Sequence, residues 1–376
     1  MNVFTSATCN SGKMKQRIFC TAIFFYAFSA ILLPQSVSEK RIFSKSIKIE
    51  RDSRLEVNNR YGDIHFTTWN SDSVSIRAEI EATANSDSKL QNLLEGIEIS
   101  ISESGKSVRA ETRFGKELTV LLESFKGFTE KIIDYGSRIR INYYISIPDY
   151  IDISIRNQFG DVSVGDNTAT ISVDLSSGDF SAGALNRLAE FNFDFGDAEI
   201  SSVKSAKIVT TFSKFYIKES GDITISSTAS RYELGSTGKL NFESRRDKFF
   251  IEKITALSGT SYFSDFKITQ LTGESDINLK YGSFEVDKIE NSFEKIDISS
   301  SYSDITLEFD PSFSSRFEID HKNAFVVIPS NNTRSEKETI NDEKKEYLIT
   351  GTTGNDPGSR EIRIDATRGN ISLKHR

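Results

Sequence analysis

Between Leu55 and Leu373, short runs of alternating apolar and polar residues recur, each broken by a compact step. Ile171, Val173 and Leu175 lead to a step at Gly178-Asp179, and Leu240 and Phe242 lead to one at Asp247-Lys248. Period two is the mark of a strand with one buried face. With the residue before them, the steps read Phe159-Gly160-Asp161, Ser177-Gly178-Asp179, Phe195-Gly196-Asp197, Phe212-Ser213-Lys214, Ala229-Ser230-Arg231, Arg246-Asp247-Lys248, Phe263-Ser264-Asp265, Tyr281-Gly282-Ser283 and Tyr302-Ser303-Asp304. They are separated by 18, 18, 17, 17, 17, 17, 18 and 21 residues. After each step the alternation resumes, with Val162, Phe180, Ala198, Phe215, Tyr232, Phe249, Phe266, Phe284 and Ile305 as the first apolar residue.

Each repeat therefore predicts strand, sharp corner, strand. One such unit cannot bury its inward side chains alone, whereas stacking units about 4.8 Å apart builds ladders of like residues. The expected fold class is all-β: a single-stack β-solenoid, parallel β-helix-like, with 17–18-residue rungs and a small α-containing insertion. Gly at the corner is expected to supply a positive φ, and the following Asp to bond the turned backbone. The aromatic residues just before the corners form a further ladder, expected inside.

The motif also marks both ends. Leu55-Glu56-Val57-Asn58-Asn59-Arg60-Tyr61-Gly62-Asp63-Ile64 aligns with Ile153 to Val162, and Ile362, Ile364, Gly369, Asn370, Ile371 and Leu373 repeat it once more. Two interruptions are expected. Residues 83–145 hold the candidate helices: Ser86 to Glu95, with Leu90, Leu93 and Leu94 on one face, and a weaker one from Leu121 to Tyr135. Residues 330–345 are polar and charged, expected as a mobile loop. The resulting division is N-terminal rungs over 39–82, the insertion over 83–145, a solenoid core over 146–329, the loop over 330–345 and closing strands over 346–376.

Residues 1–38 look like a signal peptide. Lys13, Lys15 and Arg17 precede an apolar run from Ile18 to Leu33, and Ser36-Val37-Ser38 offers a small-x-small cleavage site, with Met14 the better start. The run is shorter than the ~20 residues a membrane-spanning helix needs, so no transmembrane segment is expected after cleavage. Cys9 and Cys20, the only cysteines, fall in this region; the mature chain is expected to have no disulfide and no thiolate metal site. It would carry 44 basic against 54 acidic residues, a balance that excludes a nucleic-acid partner.

These motifs resemble the family of β-strand-repeat domains known as "putative adhesins", or toast-rack domains, of exported proteins from Bacteroidetes-type bacteria. The resemblance rests on Leu55 to Ile64, the later Gly-Asp steps, and Gly369-Asn370-Ile371-Ser372-Leu373, and covers most of residues 46–376. It implies adhesion, and a place in an envelope-stress circuit as another possible role. It brings no ligand-binding residues with it.

Chemistry is sparse. His65, His321 and His375 are far apart in sequence, with His65 expected to face solvent; neither a metal site nor a cofactor is expected. No nucleophile elbow, phosphate loop or His-Glu-x-x-His motif is present, so no catalytic residue is assigned. Asp161, Asp179 and Asp197 should stack along one edge, as backbone-bonding turn residues or around a cation such as Ca²⁺. On the following rungs Lys214, Arg231 and Lys248 take that position, a candidate binding ladder for an anionic glycan or a set of charges balancing the edge. The expected function is a non-catalytic exported binding or scaffolding module whose partner is a protein or glycan of the cell envelope. It would be periplasmic, outer-membrane-associated or extracellular. The alternatives are a carbohydrate-active solenoid enzyme and a component of envelope-stress signalling.

Overall fold

A computed structural model describes residues 36–116, 118–119, 132–134, 137–310 and 312–375. Almost all of the expected signal peptide lies outside the described residues. The chain is nearly all β. Its central strands, Phe180–Asp194, Asp197–Thr211, Lys214–Thr228, Arg231–Arg245, Lys248–Tyr262 and Asp265–Lys280, follow one another with only two residues between them. Yet each pairs with the next in parallel along most of its length. A flat sheet would need a crossover of a dozen or more residues for every such connection. Here the strand itself must bend, so that one rung ends where the next begins.

The pairing register is the sequence spacing. Val162 lies beside Phe180, and then come Ala198, Phe215, Tyr232, Phe249, Phe266, Phe284, Ile305 and Ile371 in unbroken order. These inward residues are buried throughout. Phe249 stacks between Tyr232 at 4.7 Å and Phe266 at 4.4 Å. Where a rung has 18 residues instead of 17, the extra one is absorbed away from the corner. The register shifts between Leu185 and Leu188, and again between Ile254 and Ala256.

At both ends spatial order departs from chain order. Arg54–Arg60 lies between Ser107–Phe114 and Asp152–Gln158, all parallel. Of the expected insertion, Ser107–Phe114 pairs with Arg54–Arg60 and Ser137–Ile147 with Ile64–Thr68, both parallel. Ser73–Ala84 pairs antiparallel with both Val37–Lys48 and Ser137–Ile147. The one full helix described, α1 (Asp87–Glu95), is capped by Ser86 and buries Leu90, Leu93 and Leu94. The weaker helix expected over Leu121 to Tyr135 falls largely outside the described residues, and the described part, Ile132–Asp134, is strand.

At the other end the last strand, Glu361–His375, inserts between the rung of Lys295–Phe309 and that of Ser315–Val327. The polar segment 330–345, expected as a loop, instead holds the strand Thr333–Asn341. It pairs antiparallel with Glu346–Thr353, which in turn covers Ser315–Lys322. The segment lacks apolar alternation because nearly all its side chains face solvent, so period two had nothing to mark. Antiparallel strands at each end cover open sheet edges that would otherwise pair with other chains.

The corners also differ from expectation. Positive φ falls on the residue before the step, from Tyr61 through Tyr302 to Arg368, at 52–66°. Phe, Tyr, Ser, Ala and Arg all accept it there. The left-handed conformation costs ~1–2 kcal/mol, and a repeated backbone bond offsets it: Phe159 N–H donates to Ser176 O at 2.9 Å and Ser177 N–H to Asp194 O at 2.9 Å. Glycine serves close approach instead. A Cβ on Gly178 would overlap the carbonyl oxygen of Gly160, and one on Gly196 that of Gly178.

Candidate functional site

The two residues around each corner define one edge of the stack, and the candidate residues meet there. Asp161, Asp179 and Asp197 stand on successive rungs, followed in register by Lys214, Arg231, Lys248 and Asp265. The change from Asp to Lys and Arg follows the corner chemistry. At Gly corners the Asp carboxylate accepts the next Asp's backbone N–H: Asp179 N to Asp161 Oδ1 and Asp197 N to Asp179 Oδ1, each 3.0 Å. At Ser and Asp corners that N–H has another acceptor. Arg231 N–H donates to Ser213 O at 2.9 Å and Lys248 N–H to Ser230 O at 3.0 Å. With the backbone donor satisfied, the position no longer requires a carboxylate and can carry a cation.

The corner side chain itself turns inward on these rungs. Asp247 is 1% exposed. Its carboxylate accepts from Ser227 Oγ at 2.6 Å, Ser230 N at 2.7 Å, Ser244 Oγ at 2.7 Å and Arg245 N at 3.0 Å. A buried charge is tolerable when its lone pairs are filled in this way. Thr210 and Ser230 continue the polar strip, and Thr210 bonds Tyr232 Oη at 2.9 Å. The spacing alone offered no way to tell this buried Asp from its exposed neighbours; its place at the Gly position was the available sign.

Glu233 engages two of the three residues of the basic ladder. Glu233 lies 2.8 Å from Arg231 and 3.4 Å from Lys214, and Arg231, then Lys214, hold its carboxyl below the usual range. Arg231 also stacks over Phe250 at 4.2 Å. Beside this edge runs a shallow depression of ≈ 630 Å³, bordered by His65, Asp161, Asp179, Asp197, Lys214 and Glu233. An adjoining face has one of ≈ 720 Å³, crossed by the pairs Arg156–Asp174 and Lys207–Glu190. Neither is a deep cleft.

Most aromatic residues before the corners lie outside the stack, not inside, while Tyr61 and Phe159 are half-buried. Phe195 and Phe212 are each 56% exposed and stack on each other at 5.1 Å. Phe263, Tyr281 and Tyr302 form a second run, 4.8 and 5.1 Å apart. The left-handed backbone at these residues breaks the in–out alternation and turns the side chain away from the core.

The histidines do not converge. His65 is half-buried, bonded to Ser163 Oγ at 2.8 Å and stacked on Tyr144. His375 packs edge-on against Phe309. His321 is 4% exposed beside Tyr347, and burial, then Lys337, push its pKa down. The unfolded chain therefore takes up a proton on His321 more readily than the folded one. Stability is expected to be full above the unfolded value of about 6.5 and to fall as pH drops through it toward the folded pKa. Thermal melts between pH 7.5 and 5 check this: His321→Leu should flatten the slope, and an unchanged slope would mean that other groups set it. Among the described residues no group of three or more His, Cys, Asp or Glu is placed to hold a metal ion, and no helix is long and apolar enough to cross a membrane.

No family model matches this chain, and no curated protein does. Solved structures do. A "putative cell adhesion protein" from Clostridium sporogenes is similar at 9% identity, TM-score 0.21, over 90% of this chain and 100% of that one. A "putative adhesin" from Bacteroides fragilis is similar at 11% identity, TM-score 0.29, over 90% and 98%. A "putative lipid binding protein" from Parabacteroides distasonis is similar at 10% identity, TM-score 0.29, over 89% and 96%.

Proposed function

We propose that the chain is a non-catalytic exported envelope protein, with residues 1–38 as its signal peptide. In this reading a single-stack β-solenoid presents a rigid surface to a partner protein or glycan outside the cytoplasm. The observation that carries it is the unbroken parallel register from Val162 to Ile371. A stack bonded rung to rung holds surface groups in fixed columns. Such geometry suits recognition of an extended partner, and its shallow depressions give little means of excluding water from a reaction. In the same reading Lys214, Arg231 and Lys248 chiefly balance charge along the acidic edge, since Glu233 engages two of them.

The test is incubation of the exported chain with a glycan array, purified peptidoglycan and envelope polysaccharides, with and without Ca²⁺. Saturable binding that leaves polysaccharide length unchanged is expected. Charge reversal at Lys214, Arg231 and Lys248 should alter it little. New reducing ends appearing with turnover would overturn the non-catalytic reading, and loss of binding on charge reversal would make the basic ladder the contact face.

A further inference from the structure

The corner column is not continuous. Tyr61 and Phe159 stack face to face at 5.4 Å and 8°, and Phe195 and Phe212 at 5.1 Å and 8°. Between the two pairs stands Ser177, in the same left-handed backbone but with a side chain too short to reach between rings. Neighbouring strands lie about 4.8 Å apart, so the ring centres of Phe159 and Phe195 are separated by roughly 10 Å across Ser177, room for one ring-thick group between them. That gap takes one flat group stacked on both rings. Asp161, Asp179 and Asp197, all exposed, stand two residues beyond Phe159, Ser177 and Phe195 on the same three rungs. Asp161 and Asp179 each use Oδ1 to accept a backbone N–H.

The chain itself shows what suits such a surface. Where the aromatic column ends at Tyr302, the next corner residue is Arg368, whose guanidinium lies 4.9 Å from the ring centre. Arg60 lies 4.8 Å from the centre of Tyr61 and 5.8 Å from that of Phe159. The other break in the column, after Phe212, contains Arg246 as its own corner residue. At Ser177 the same column meets carboxylates and has no arginine at the corner. We infer that the Ser177 gap, between the faces of Phe159 and Phe195 and beside Asp161, Asp179 and Asp197, receives an arginine side chain of a partner protein. A guanidinium is flat, stacks on aromatic faces and pairs with carboxylates through a fixed fork of donors. A pyranose ring matches the gap in size but not in charge.

This rests on the binding-module reading in requiring an outside partner. The test uses small probes, so that the gap can fail while the surface still binds elsewhere. Saturation-transfer NMR on the full exported chain would compare acetyl-Gly-Arg-Gly-amide with its citrulline and lysine counterparts and with methyl β-glucopyranoside. Saturable transfer to the arginine probe is expected, at least about tenfold weaker for the neutral citrulline probe and absent in Ser177→Phe. That variant should fold, because Phe occupies the same corner at Phe159, Phe195, Phe212 and Phe263 with φ of 52–58°; its melting curve checks this. Equal binding of citrulline, no arginine signal, or arginine binding that survives Ser177→Phe would overturn the inference. Glucopyranoside binding lost in Ser177→Phe, without arginine binding, would replace it with a sugar site.

Discussion

Gly178→Ala is expected to lose about 3 kcal/mol or more of folding stability, far above the ~1 kcal/mol typical of a single substitution. The reason lies one rung away: the added methyl would overlap the carbonyl oxygen of Gly160, a backbone atom held in the ladder. Making room would need the corner rebuilt as at Ser230 and Asp247, where the following N–H bonds the carbonyl of the preceding corner. Ser177→Ala, one residue earlier, should change stability by less than about 1 kcal/mol although its φ is 57°, since side chains of all sizes are accepted at that corner. Urea denaturation of the two variants measures the contrast. If both lie within experimental error of the parent protein, the corners are not stacked as described.

Asp247→Ala is expected to cost roughly 3–5 kcal/mol. Four donors converge on this carboxylate: two serine hydroxyls and the backbone N–H groups of Ser230 and Arg245. The two N–H groups would be left without their acceptor inside the stack, where water cannot easily replace it. Asp247→Ser should lose less, because Ser230 and Ser264 hold the equivalent corners on either side. Denaturation midpoints again report the difference, and a loss under about 1 kcal/mol for Asp247→Ala would mean that water reaches the corner.

Much of this architecture was legible in the chain. Period-two alternation marked the inward residues, so Phe215, Ile217, Phe249 and Ile251 are buried as their positions imply. The 17- and 18-residue spacing became the pairing register itself. The corner aspartates were expected to bond their own turned backbone; Asp161 and Asp179 accept instead from the corner of the next rung, 18 residues on, a donor that only the stacking brings within reach. What escaped has physical causes. The side taken by Phe195 and Phe212 depends on the backbone handedness at one residue, which alternation cannot supply. The Thr333–Asn341 strand has two wet faces and hence no apolar period. The antiparallel pairing of Val37–Lys48 with Ser73–Ala84, and the insertion of Glu361–His375 between earlier rungs, are long-range choices made by burying open edges. Glu233, which engages two residues of the basic ladder, lies two residues along from Arg231 and next to Tyr216 and Phe250 in register; only the stacking brings it to Lys214.

The central claim is that successive rungs advance the stack by one strand spacing each. With Cys9 and Cys20 replaced, paired spin labels can be placed in one surface column that passes through Ser172, Glu190, Lys207 and Asp276. One label stays at Asp276, and the other moves from Lys207 to Glu190 to Ser172. Electron-electron dipolar spectroscopy should then give backbone separations near four, five and six strand spacings, about 19, 24 and 29 Å. Equal steps of about 5 Å along one line would uphold the stack; separations that fail to grow with rung number would contradict it.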